Sequence, residues 1–158
     1  MIKKVLPWIV FILLFALLII GFSLKDNINK SLSELMKIQA PPEINHSGKA
    51  LVDSLYNYSE NGLKYDFTLL EFSSTGCAIC KQMEPVLDEI RSSEKAKVNV
   101  VFLHIMKSDN LDLMKYYGIS AVPMQILLDK QGKEFFRHYG YISAEDILEK
   151  ANTVLIQK

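Results

Sequence analysis

The chain has 158 residues, with 18 basic and 18 acidic side chains, so its formal net charge is zero at pH 7 with neutral histidines. Without Lys3 and Lys4 the remainder is slightly acidic, which leaves no electrostatic footprint for nucleic acid. The length fits one domain with accessory segments.

Val5 to Leu24 carries no charged residue. Twenty such residues in a helix rise about 30 Å, the thickness of a bilayer's hydrocarbon core. Trp8 lies near one end, suited to an interface, and Pro7 sits near the helix start, where its missing N–H costs nothing. The segment predicts either a transmembrane anchor over residues 1–24 or a cleaved signal peptide. The run exceeds the usual signal core of about 7–15 residues, and Gly21-Phe22-Ser23 makes a poor cleavage site, which favours the anchor. No cysteine follows it closely, which excludes lipoprotein processing. Lys3 and Lys4 before the span, against Lys25 and Lys30 with Asp26 after it, favour a cytoplasmic N-terminus. The expectation is a single-pass protein of the bacterial cytoplasmic membrane with its catalytic domain extracytoplasmic.

Residues 25–48 read as a juxtamembrane linker. Ile28, Leu32, Leu35 and Ile38 recur near helical spacing, and Ala40-Pro41-Pro42-Glu43 breaks the pattern, with His46-Ser47-Gly48 continuing the loop. The globular domain is expected over residues 49–158, about 110 residues, enough for one packed core. Lys49 to Glu60 predicts a helix stopped by Asn61-Gly62. Phe67 to Phe72 predicts a buried strand, with Glu71 the exception inside it. A helical pattern starts at Cys77, with Met83, Leu87 and Ile90 facing inward and Pro85 kinking it. Lys97 to Ile105 predicts a second buried strand, and Asn110 to Tyr117 a helix ended by Gly118. Met124 to Leu128 and Lys133 to Tyr139 predict a hairpin around Asp129-Lys130-Gln131-Gly132. Ser143 N-caps a last helix whose apolar face is Ile147, Leu148, Ala151, Val154 and Leu155. The order αβαβαββα predicts an α/β fold in which strands alternating with helices pair in parallel and the last hairpin adds an antiparallel pair.

Cys77 and Cys80 are the only cysteines. Cys77 falls at a helix N-terminus, where unpaired N–H groups and the positive end of the helix dipole stabilise a thiolate, the form that attacks a disulfide. Cys80 lies one turn later on the same face and can resolve the mixed disulfide. A purely structural disulfide over so short a loop would add little stability. A zinc site needs about four ligands, and His46, His104 and His138 show no ligand spacing, so no metal and no other cofactor is expected. His104, His138 and Tyr116-Tyr117 fit packed or rim positions and are assigned no role.

Several ordered motifs over residues 49–158 resemble the thioredoxin fold, and particularly the membrane-anchored, extracytoplasmic thioredoxin-like proteins of bacteria. They are Glu71-Phe72, then Cys77-Ala78-Ile79-Cys80-Lys81-Gln82-Met83-Glu84-Pro85, then Tyr117-Gly118-Ile119-Ser120-Ala121-Val122-Pro123, with Gly132 and Gly140. The resemblance implies a thioredoxin-like mixed four-stranded sheet with helices on both faces. It implies Cys77 as the attacking and Cys80 as the resolving cysteine. It further implies a cis bond before Pro123, a substrate-binding strip at Val122 and Pro123 facing the cysteine turn at Gly76, and a buried catalytic acid at Glu71 that exchanges a proton with Cys80. The implied function is thiol–disulfide exchange with protein thiols and disulfides. A reductant in cytochrome c maturation or a related interchange, supplied by an integral-membrane thiol carrier, is its most specific form. The alternatives are a disulfide oxidase or isomerase for exported proteins, and a non-enzymatic binding module of the same fold. Thr75-Gly76 before the cysteines, Ala78-Ile79 between them, Met124 after Pro123 and an apolar residue near Phe102 depart from ordinary thioredoxin and leave the direction of electron flow open.

Overall fold

The structure, a computed structural model, describes residues 2–155, apart from the side chains of residues 2–7, 22, 25, 26 and 155. Helix α1 runs unbroken over Ile2–Gln39. α2 (Pro42–Tyr56) and α3 (Tyr58–Asn61) follow, then β1 (Phe67–Ser73), α4 (Ala78–Arg91), β2 (Val98–His104), a 3-10 turn at Ser108–Asn110, α5 (Leu111–Tyr117), β3 (Met124–Leu128), β4 (Glu134–Tyr139) and α6 (Ala144–Leu155).

The four strands form one mixed sheet in the order β2-β1-β3-β4. β1 pairs with β2 in parallel and with β3 antiparallel, and β3 with β4 antiparallel. The expectation of parallel pairing between separated strands therefore holds for β1 and β2 and fails for β1 and β3. β2 is an edge strand, and most of its residues are only half-buried rather than buried.

Strand alternation divides the core into two layers. Phe67, Leu69 and Leu127 face α4 and α6, where they meet Met83, Leu87, Ile90 and Ile147. Leu70, Phe72, Met124, Ile126 and Leu128 face α2 and α5, where they meet Val52, Tyr56, Leu113 and Tyr117. A polar network ties this second layer at one end of the sheet. The Tyr58 hydroxyl hydrogen-bonds Thr68 Oγ1, and Asn99 Nδ2 donates to Tyr58 Oη at 2.8 Å.

The N-terminal expectations need correction. Among the described residues no helix is long and apolar enough to cross a membrane, so the single-pass anchor over residues 1–24, and the localisation built on it, are not borne out. The uncharged stretch Val5–Leu24 forms part of helix α1. It is no separate element, since the same helix continues through the polar residues to Gln39. Lys3, Lys4, Pro7, Lys25 and Asp26, which entered that reading, have side chains outside the described residues.

The following segment differs too. Pro42 opens α2 instead of ending a helix, because at N1 its missing N–H is one that no helical carbonyl would receive. His46-Ser47-Gly48 thus lies inside α2. Gly48 is where α2 meets α5, and a Cβ there would stand 2.5 Å from Tyr116 Cβ. In α1 the expected apolar face is turned outward, with Ile28, Leu32, Leu35 and Ile38 all exposed. The docked residue is Ser33, which is fully buried. Arg137 Nη1 donates to Ser33 Oγ at 2.5 Å and to the Tyr117 carbonyl at 3.3 Å, while Glu134 holds the same guanidinium through two hydrogen bonds. Tyr139 Oη donates to the Asn29 carbonyl at 3.2 Å. Polar pairing, which apolar periodicity does not register, selects this helix face.

Candidate functional site

β1 ends at Ser73, and the chain turns through Ser74, Thr75 and Gly76 into α4. Gly76 has φ +81°, a left-handed conformation that a side chain would strain. Cys77 is the N-cap of α4, with extended backbone angles, and its Sγ accepts the Cys80 N–H at 3.2 Å. The two cysteines form a disulfide, with their Cα atoms 5.2 Å apart. Their surroundings differ. Cys77 is half-buried, whereas Cys80 is 4% exposed and faces inward with Met83 and Leu87. Ile79 between them stays exposed. One sulfur thus faces the medium at a helix N-terminus while the other sits behind it, over the sheet.

His104, assigned no role from sequence, supports this turn. It ends β2 opposite Ser73, and the Thr75 N–H points to its Nε2 at 3.2 Å and the Met106 N–H to its Nδ1 at 3.1 Å. Only one ring nitrogen of a neutral imidazole can accept, so the ring holds one of the two loops at a time. Nothing in the sequence pattern points to this, because the contact spans 29 residues.

The Val122–Pro123 peptide bond is cis, in keeping with the expectation. Pro123 is buried, Val122 half-buried, and the Gly140 N–H donates to the Pro123 carbonyl at 2.9 Å. Met124 pairs with Phe72, which puts Pro123 at the sheet end where β1 gives way to the cysteine turn. Gly76, Val122 and Pro123 therefore lie at the same end of the sheet as the disulfide.

Glu71 lies in the middle of β1, with no exposed surface. Its position alternates with Phe67 and Leu69, so it belongs to the sheet face covered by α4, beneath the helix that carries Cys80. Its register partners are Phe102 on β2 and Gln125 on β3. Burial pushes its carboxyl from 4.5 up to about 8. The Gln125 amide draws it back part of the way without closing a hydrogen bond in this geometry, and both carboxyl oxygens lack a hydrogen-bond partner among the described residues. Phe102, its partner on β2, supplies no countercharge. Gln125, itself fully buried, was hidden by its apolar strand.

Among the described residues no group of histidine, cysteine, aspartate and glutamate could hold a metal ion. The residues assembled here instead suit two-electron chemistry between sulfurs. They comprise an accessible sulfur at a helix start, a buried second sulfur, and a buried acid under the same helix.

A family model described as a thioredoxin-like domain matches residues 52–155. The chain is 26% identical over 110 residues to the thioredoxin-like protein HCF164 of Arabidopsis thaliana chloroplasts, covering 70% of this chain but 42% of that relative's length. It is 27% identical over 97 residues to a thioredoxin of Rickettsia bellii, covering 61% of this chain and 90% of that one. Among solved structures, a thioredoxin-like protein from Clostridium perfringens aligns with a TM-score of 0.52 at 25% identity, covering 60% of this chain and 75% of that one. A mutant thioredoxin of Halobacterium salinarum aligns with a TM-score of 0.52 at 18% identity, over 66% of this chain and 82% of that one, a likeness of fold alone. The chain belongs to the thioredoxin-like family, and with its Cys77–Cys80 pair it is a thiol–disulfide oxidoreductase.

Proposed function

We propose that the protein is a reductant of disulfides in other proteins, in cytochrome c maturation or a related disulfide-interchange route. The observation that supports exchange through this pair is the placement of buried Cys80 over a sheet face holding a carboxyl raised to about 8, while the reductive direction rests on the family resemblance. Resolving a mixed disulfide requires Cys80 to lose its proton where water has little access, and a nearby base of that strength suits the task. The route itself is suggested by the family resemblance read from the sequence.

In the reduced protein the Cys77 thiolate, held by the N-terminus of α4, attacks one sulfur of a substrate disulfide. The substrate's S–S bond breaks, a Cys77–substrate bond forms, and the other substrate sulfur leaves as a thiolate. Glu71 then takes the Cys80 proton, and the Cys80 thiolate attacks Cys77 Sγ. The second substrate thiolate departs, leaving the Cys77–Cys80 disulfide, so two electrons have passed from protein to substrate. The substrate segment lies along Val122 and Pro123, where an extended backbone can add a strand-like contact next to its cysteine. A dithiol carrier, in this reading an integral-membrane one, returns the pair to the reduced state.

Two measurements test this. The Cys80→Ser variant is expected to accumulate a mixed disulfide through Cys77 with its substrate, while Cys77→Ser accumulates none and reduces no disulfides. The potential of the pair is expected below about −200 mV. A value well above that, with Cys80→Ser trapping substrates that are becoming oxidised, overturns the reductant reading in favour of an oxidase or isomerase.

A further inference from the structure

We propose that Gln125 is the positioning partner of Glu71, an uncharged side chain that offers a hydrogen bond to either protonation state of the acid and so governs how readily Glu71 takes the proton of Cys80. The inference rests on the reductase reading above, which supplies the need for that proton transfer.

Glu71 and Gln125 are directly opposite in the antiparallel β1–β3 pair. Strand alternation puts Gln125 on the face of its neighbour Leu127, the layer to which Leu69 and the Glu71 position also belong. Side chains so paired have Cβ atoms about 4.5–5.5 Å apart, within reach of each other's ends. Both residues are fully buried, and none of their four side-chain polar atoms has a hydrogen-bond partner among the described residues. Leaving four such atoms unpaired is expensive, and pairing the two side chains relieves both.

The chemistry of the amide fits both states of the acid. Gln125 Nε2 can donate to the carboxylate, and a rotation of the amide brings Oε1 to accept from the protonated carboxyl. A lysine could serve only the first. The surroundings leave this task to Gln125. From β2 the register position is filled by apolar Phe102. From α4 the titratable group on the inward face is Cys80. α6 contributes Ala144 and Ile147 to the layer, and neither can ionise. On β4, His138 is the register partner of Gln125 and stands one strand further from Glu71, its Nε2 3.0 Å from the Tyr141 carbonyl. The carboxyl, raised by burial, is drawn back by the Gln125 amide, in keeping with that assignment.

The test is the titration of the Glu71 side-chain carboxyl by carbon NMR in the oxidised full chain, with no substrate present. Gln125→Met, similar in length but without polar atoms, is expected to move the midpoint upward by about one pH unit, the scale of one hydrogen bond to a charged group. Gln125→Asn, which keeps the amide on a shorter stem, is expected to fall between the two and remains informative should the methionine variant not fold. The pH profile of disulfide reduction by Gln125→Met is expected to move by the same amount. In a Glu71→Gln background the methionine substitution is expected to leave the profile where it was, which a merely structural role for Gln125 would not do. An unchanged Glu71 midpoint in both Gln125 variants overturns the inference. Failure of Cys80→Ser to trap any substrate, with the midpoint shift intact, overturns the reductase reading and leaves the pairing standing.

Discussion

Replacing Glu71 by glutamine should reverse part of the pH dependence of stability. In the folded chain the carboxyl is pushed up from 4.5 to about 8, because ionising it would put an uncompensated charge in the sheet. Below about pH 4.5 the acid is protonated in both folded and unfolded chains and contributes no pH dependence. Between 4.5 and about 8 the unfolded chain ionises and the folded chain does not, so stability falls steadily as the pH rises. Above about 8 both are ionised and the loss levels off. At about 1.4 kcal/mol per pH unit, the interval amounts to about 5 kcal/mol in full and about 3 to 4 kcal/mol between pH 5 and pH 8. Glutamine fills nearly the same volume and does not titrate. Urea unfolding of oxidised wild type and Glu71→Gln at both pH values isolates this term, since the other titrating groups cancel in the difference. The variant should gain about 3 to 4 kcal/mol relative to wild type from the lower to the higher pH. A difference that stays constant, or that moves in favour of wild type, would refute the burial argument.

Other sites give sharper local tests. Gly48→Ala should cost about 1–3 kcal/mol in thermal or urea unfolding, because its Cβ would collide with Tyr116 Cβ and force α2 away from α5. Arg137→Met should cost about 2 kcal/mol, since Glu134 and the Tyr117 carbonyl lose a charged donor. Amide exchange in residues 29–39 of α1 should accelerate in that variant, with the sheet unaffected. Ser143→Ala should cost about 1 kcal/mol, because Ser143 Oγ accepts the Asp146 N–H at 3.1 Å and so caps α6. Equal stability of Ser143→Ala and wild type would deny that cap its value.

Much of the site is written in local sequence. The strand, turn and helix that frame Cys77 and Cys80 follow from a run of buried residues, a glycine and a helical repeat, and Glu71 stands out as the acid within that run. Ser143 is a cap that three residues of sequence suffice to place. What escaped depends on contacts far along the chain. β1 pairs antiparallel with β3 because of how the chain returns after α5, and no local pattern encodes that choice. Gln125 hides in a strand that reads as wholly apolar until Glu71 is placed beside it. His104 reaches Thr75 across two strand ends. At residues 25–48 apolar spacing misled, since the helix docks through Ser33 and Arg137, while its isoleucines and leucines remain outside.

The N-cap of α4 is also the sulfur that exchanges electrons, so the first turn of that helix is bound to the redox state. In the oxidised chain Cys77 Sγ already accepts the Cys80 N–H, yet a sulfur in a disulfide carries little negative charge. A thiolate at the same position is a much stronger acceptor, so the helix begins more firmly in the reduced chain. When Cys77 is joined to a substrate that reinforcement is withdrawn, at the moment when Cys80 must approach it. The turn that stores the electrons thereby loosens as it hands them over, and the Cys80 amide proton is a reporter of the cycle within the backbone itself.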